Sequence, residues 1–264
     1  MTIEVTVDGP VATATVNRPE ARNAMTMAMY DALAAFCERV DADDSVRVAV
    51  IRGAGGRAFV SGTDIAHFRD FRDASDGLAY EERIESVLAR LEQVHVPTIA
   101  VVQGYATGGG LSIAAACDLR VCTPDARFGL PIARTLGNCV SMPTYARLVH
   151  LIGAARAVHL IYTAGFVDGA EAARIGLASE LTDDVDTRLA ELCERLLANA
   201  PLTMRASKIA LRRLRDQALP PGDDLVSLCY GSADFREGVA AFLGKRPPRW
   251  QGISSSGGGS PTWR

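Results

Sequence analysis

Between Thr98 and Cys122 the chain reads as strand, glycine turn, apolar helix and strand again. Thr98–Val102 is a short apolar run of strand length, Gly108-Gly109-Gly110 follows it, and Leu111–Cys117 continues as an apolar helix into a strand at Leu119–Cys122. Strands that alternate with helices over such short distances restrict the chain to an α/β core.

The rest of the first half agrees. Ile3–Val7 and Val11–Val16 are β-branched runs parted by Asp8-Gly9-Pro10, which predicts a hairpin. Met29, Leu33, Phe36, Cys37 and Val40 share one helical face, with Thr26 as its cap. Val46–Ile51 reads as a strand ended by Gly53-Ala54-Gly55-Gly56, and a polar helix runs from about Asp76 to Val94. From Pro143 the pattern becomes mostly helical, with Val185, Leu189, Leu192, Cys193, Leu196 and Leu197 lining one long helix and further helices over 202–217 and 223–243. The expected division is a core over 1–200, a helical region over 201–250 and a disordered Gly/Ser-rich tail over 251–264.

Composition removes several function classes. With 264 residues the chain buries a core without metal or disulfide staples. Its 28 basic and 31 acidic residues leave a net charge of −3, which argues against nucleic acid as a partner. Lys208 and Lys245 are the only lysines, and the arginine-rich, alanine-rich balance fits a GC-rich bacterial genome. The six cysteines form no C-x-x-C pair, so buried free thiols are expected, and no metal-ligand spacing occurs. The start lacks a basic segment followed by an apolar one, and no clean run of 18 apolar residues exists, so a cytoplasmic protein away from membranes is expected.

Two motifs resemble known sites and fail on context. Gly53-Ala54-Gly55-Gly56-Arg57-Ala58 fits a dinucleotide fingerprint, but Gly62 interrupts the helix that would hold a pyrophosphate. Gly110-Leu111-Ser112-Ile113-Ala114 approaches a nucleophile elbow, yet its strand ends too early and no histidine lies in the last hundred residues. What remains is a pair of glycine turns, Ser61-Gly62-Thr63-Asp64 and Gly108-Gly109-Gly110, each ahead of a helix. Helix N-termini offer free N–H groups, and two that converge form an oxyanion hole; taken singly, each turn reads first as structural packing.

These two turns, in this order, resemble the crotonase, or enoyl-CoA hydratase/isomerase, superfamily. Val16-Asn17-Arg18-Pro19-Glu20-Ala21-Arg22-Asn23-Ala24 is similar to its opening signature, and Ala58–Ile65 and Pro97–Gly110 to its two oxyanion segments. Glu237-Gly238 and Ala241–Arg246 are similar to its C-terminal helix, so the likeness covers roughly residues 2–250. The resemblance implies a spiral of ββα units with a helical trimerisation region, and a homotrimer or a hexamer made of two trimers. It implies an acyl-CoA thioester as substrate, with coenzyme A arriving as part of it and no tightly bound cofactor. The amides of Thr63 and Gly109 would hold the thioester oxygen. Arg22, Ala24, Met25, Ser61, Asp64 and Ile65 would lie along CoA, and Phe242 and Lys245 of a neighbouring subunit would close over it.

The sequence departs from that pattern where hydratases carry two glutamates. One position holds Ser112; the other, after Phe128-Gly129-Leu130-Pro131, holds Ile132 or, with one residue inserted, Ala133. Neither a hydroxyl nor an alkyl group supplies the proton-transfer pair that water addition needs. Isomerisation, decarboxylation, dehalogenation, hydrolysis or mere CoA binding therefore stand as alternatives. The remaining candidates each have two readings. Arg134 is a carboxylate fork or an ordinary ion pair, Asn138 a pocket group or a turn residue, and Cys139 a nucleophile or a buried thiol. His67 is an acid–base group or a helix-face histidine. Glu81 and Glu82 reach the pocket or form a solvated face.

Overall fold

The computed structural model describes residues 2–217 and 219–251. The expected tail beyond Gln251 lies outside them.

The first half contains strands β1 (Thr2–Asp8), β2 (Val11–Asn17), β3 (Val48–Gly53), β4 (Ala58–Val60), β5 (Thr98–Val102), β6 (Tyr105–Thr107), β7 (Leu119–Cys122) and β8 (Arg127–Gly129). Helices α1 (Met27–Ala42), α2 (Ala74–Gln93) and α3 (Gly109–Ala116) lie among them. The second half contains α4 (Ile132–Thr135), α5 (Met142–Ile152), α6 (Ala154–Tyr162), β9 (Phe166–Asp168), α7 (Gly169–Arg174), β10 (Glu180–Leu181) and α8 (Val185–Leu197). It ends with α9 (Pro201–Asp216), α10 (Asp223–Tyr230) and α11 (Ala233–Leu243).

One sheet has the order β1-β2-β3-β5-β7-β10, and a smaller one β4-β6-β8-β9. Only β1 with β2 and β8 with β9 pair antiparallel. The larger sheet is apolar on both faces, as parallel sheets require. Ala49, Ile51 and Ala100 face the main core with α1, while Val48, Val50, Ile99 and Val101 pack on Val185, Leu192 and Cys193 of α8.

The expected hairpin and the α1 cap are present, with Thr26 accepting from the Met29 amide. The second sheet leaves no signal in the sequence, because its strands span only three residues each, too few to show a period. The helix expected over 223–243 is two helices: Ser232 caps α11 by accepting from the Phe235 amide, so the chain restarts there. The six cysteines are all free thiols. No helix among the described residues is long and apolar enough to cross a membrane.

Candidate active site

The opening signature acts as a buttress. Asn23 is fully buried in the left-handed region (φ 57°). Its side chain accepts from the Arg18 amide and donates to the carbonyls of Ala54 and Ala58, at 2.7–3.0 Å. This fixes Met25 two residues later. The Met25 amide donates to Gly62 O and its carbonyl accepts from the Asp64 amide, both at 2.8 Å. Because the residues flanking Thr63 face Met25, the N–H of Thr63 itself points to the opposite side.

The second turn meets it there. Gly108, at φ 55°, caps α3, and Gly109 is its first helical residue. A Cβ on Gly109 would fall 3.7 Å from Thr63 N and 2.4 Å from the Tyr30 hydroxyl, so a bare backbone is required at this approach. The two expected turns therefore converge. Neither amide donates to a protein acceptor among the described residues, which leaves two free donors close together, the arrangement an oxyanion hole requires. The Thr63 hydroxyl is bonded to Tyr30 at 2.9 Å and Tyr80 at 2.6 Å. Burial raises both phenols, Tyr30 to about 12, so they stay protonated.

A cavity of about 140 Å³ opens beside these amides. Ser61, Thr63, Ile65, Gly109, Ser112, Ile132 and Asn138 line it, as does Glu81, which carries its only ionisable carboxyl. The Ser112 hydroxyl donates back to Gly108 O at 3.3 Å. Of the two candidates in that loop, Ile132 lines the cavity and Ala133 is exposed.

Glu81 is buried, contrary to the plainer reading of a solvated face, whereas Glu82 is exposed. Burial pushes the Glu81 carboxyl up to about 7, against the pull of hydrogen bonds from Tyr230 and the Ser141 amide. A signal for this existed. Tyr80, Ile84, Val87, Leu88 and Leu91 recur at helical spacing on α2, and Glu81 adjoins that stripe. Tyr30, Tyr80 and Tyr230 also went unread, because each matters through a hydroxyl that only tertiary packing aims.

Other candidates lie elsewhere. Arg134 is exposed on α4, outside the cavity and with no ion pair among the described residues. His67 is exposed on the 3-10 helix Ile65–Asp70, stacked near Phe68, Phe71 and Tyr80 rather than lining the cavity; its partial burial lowers its pKa. Cys139 is buried, and its thiol pKa is raised by a hydrogen bond with Cys229 and by burial, conditions under which a thiol is inert. Phe242 lines the cavity of its own chain, where α11 packs on the 3-10 helix. Lys245 is exposed beyond α11.

Of the expected CoA contacts, Ser61 and Ile65 line the cavity. Arg22 is exposed above the Tyr105 ring at 5.9 Å. The Ala24 carbonyl accepts from Arg18, and Met25 contributes backbone only, its side chain being fully buried. The Asp64 carboxylate pairs with Arg18 at 2.7 Å and accepts from the Ala66 amide; burial works against it, and these bonds outweigh burial to lower its pKa. No group of metal-ligating side chains occurs among the described residues.

Comparison with known proteins gives a consistent result. A family model described as enoyl-CoA hydratase/isomerase matches residues 6–253. The short-chain-enoyl-CoA hydratase of Clostridium acetobutylicum is 32% identical over 245 residues, covering 90% of this chain and 93% of that protein. The mitochondrial methylglutaconyl-CoA hydratase of Mus musculus is 32% identical over 247 residues, covering 90% and 78%. The crystal structure of an enoyl-CoA hydratase/carnithine racemase from Magnetospirillum magneticum superposes with a TM-score of 0.78 at 33% identity, over 95% of this chain and 96% of that one. A methylmalonyl-CoA decarboxylase matches at a TM-score of 0.86 and 22% identity, over 95% and 98%, a likeness of fold alone. The fold expected from the two turns and their flanking signatures is thus the observed one.

Proposed function

Because the chain belongs to the enoyl-CoA hydratase/isomerase family and is an enzyme acting on acyl-CoA thioesters, we propose that it works by forming and reprotonating a thioester enolate, with Glu81 as the single proton carrier. The thioester oxygen accepts from the amides of Thr63 and Gly109. The Glu81 carboxylate takes a proton from carbon, forming its own O–H bond, while the C–H electron pair moves onto the thioester oxygen. Return of that proton to the same or a conjugated carbon gives exchange or double-bond isomerisation. The observation that carries this reading is one buried carboxyl, pushed up to about 7 by its burial, lining the same cavity as two unpaired amides.

Hydration by a carboxylate pair is not favoured, since the resemblance expects glutamates where this chain has Ser112 and either Ile132 or Ala133, and neither Ser112 nor Ile132, which line the cavity, is acidic. Coenzyme A enters only as part of the substrate, running from Ser61 and Ile65 past Asp64, Ala24 and Arg22.

We also propose a trimer, or a pair of trimers, built through α9. That helix buries none of its side chains, and Leu202, Leu211 and Leu214 are 75%, 56% and 67% exposed. Light scattering tests this: Leu211→Asp with Leu214→Asp is expected to give a monomer, and an unchanged mass would exclude α9 as the contact.

The proton chemistry is tested by incubating butyryl-CoA with the protein in D2O and following α-deuteration by NMR. Exchange is expected, falling about 10²–10⁴-fold in Glu81→Gln. Absence of exchange in folded protein would overturn the proposal. So would loss of crotonyl-CoA absorbance at the rate of a family hydratase run beside it.

A further inference from the structure

Glu81 is reached by a directed chain of hydrogen bonds from the C-terminal helices. The Tyr230 hydroxyl donates to Glu81 Oε1 at 2.5 Å. Asn138 Nδ2 donates to the Tyr230 oxygen at 3.2 Å and to the Cys139 carbonyl at 3.2 Å. The directions are forced. A carbonyl only accepts, so the amide nitrogen must face Cys139, and the same nitrogen faces Tyr230. The phenol oxygen therefore accepts from Asn138, and its one proton goes to Glu81.

The Tyr230 ring has a prepared seat. A Cβ on Gly77 would fall 2.3 Å from Tyr230 Cβ. Gly77 lies four residues before Glu81 on α2, one turn away on the same face. A glycine inside a helix is unfavourable by itself, and here it admits the ring.

We propose that Tyr230, oriented by Asn138 and seated on Gly77, is a positioning residue for Glu81: it pins Oε1 as a permanent acceptor, so that the transferable proton is carried on Oε2 alone. This inference rests on the reading of Glu81 as the proton carrier. Without Tyr230 the carboxyl would keep only the Ser141 amide as a donor, and orientations that aim the proton away from substrate would open to it. The same hydrogen bond favours the carboxylate, and it is the largest influence opposing burial. The other titratable groups around Glu81 are Tyr30 on α1, Glu85 and Tyr80 on α2, Cys229 on α10, Cys139, and Tyr145 on α5. The carboxylate of Glu85 and the Cys229 thiol push the carboxyl up, so Tyr230 is the side-chain donor that holds it down.

The test is the pH profile of α-deuteration in the full-length protein. In Tyr230→Phe the rising limb of kcat/KM is expected to move up by about one to two pH units, with the rate recovering above it. Gly77→Ala removes no polar group and pushes the ring from its seat; its limb is expected to move the same way. A loss of rate equal at every pH in both variants would overturn the positioning role. A second readout is independent of turnover. In protein carrying 13C-labelled glutamate, the Glu81 carboxyl signal is identified by its disappearance in Glu81→Gln. Its titration midpoint is expected to rise in Tyr230→Phe; an unmoved midpoint would overturn the proposal. A moved midpoint alongside full exchange by Glu81→Gln would leave Tyr230 positioning Glu81 and remove Glu81 from the chemistry.

Discussion

The amide nitrogen of Thr63 lies 3.7 Å from the point where a side chain would begin at Gly109. Two turns nearly fifty residues apart in sequence are thereby brought to one spot, each held by a different part of the chain.

Gly109→Ala tests how much the reaction depends on that approach. The backbone at 109 tolerates alanine, since its φ is not positive; the obstacle is the Tyr30 hydroxyl, 2.4 Å from the new carbon. Tyr30 must yield, and it draws Thr63 with it through their shared hydrogen bond. Misaligning one oxyanion donor is expected to lower the exchange rate about 10²–10³-fold. Single-turnover kinetics with saturating acyl-CoA measure this, and a change under three-fold would contradict the amide pairing.

Thr63→Val separates the hydroxyl of that residue from its amide. Valine fills the same space and leaves the hydroxyls of Tyr30 and Tyr80 buried without their shared partner. Each stranded group costs about 1–3 kcal/mol, which urea unfolding would register. The amide remains, so the exchange rate measured well below the unfolding range is expected to fall less than ten-fold. A large rate loss at unchanged stability would show that the hydroxyl acts in the chemistry.

Glu81 also sets a pH dependence of stability. Its folded pKa of about 7 lies above the unfolded carboxyl value, so between those values the native state binds more protons than the unfolded chain. Stability contributed by this group is present at low pH and is lost as pH rises from about 4.5 to 7. Glu81→Gln removes that dependence. The variant is expected to gain on the parent with rising pH, by up to about 3 kcal/mol above pH 7. Urea unfolding at pH 5 and pH 8 measures the difference, and an equal offset at both would contradict the burial of an ionisable carboxyl.

The parts of the site that were legible in the sequence are those fixed locally. A glycine demanded by close approach is written into the chain at that position, so Gly62–Thr63 and Gly108–Gly109 announced themselves. Glu81 was legible only as one of two readings, because its setting is completed by distant residues. Read alone, α2 carries enough charge to pass for a solvated helix; its burial at Glu81 comes from α10, which packs on it from much later in the chain. Arg134 fails for the converse reason. A basic residue in the right loop suggests a carboxylate clamp, yet α4 is a single turn whose buried side is taken by Ile132. One residue of rotation decides which side chain meets the cavity.

The seat of Tyr230 on Gly77 has a consequence for the order of synthesis. Glu81 and Tyr230 are 149 residues apart, so at about 5–20 residues per second the ribosome delivers the partner on the order of ten seconds later. Until then α2 lacks the cover of α10, and Glu81 lacks its phenolic partner. Both amide-bearing turns, Gly62–Thr63 and Gly108–Gly109, are thus synthesised well before the residue that holds the Glu81 carboxyl in place.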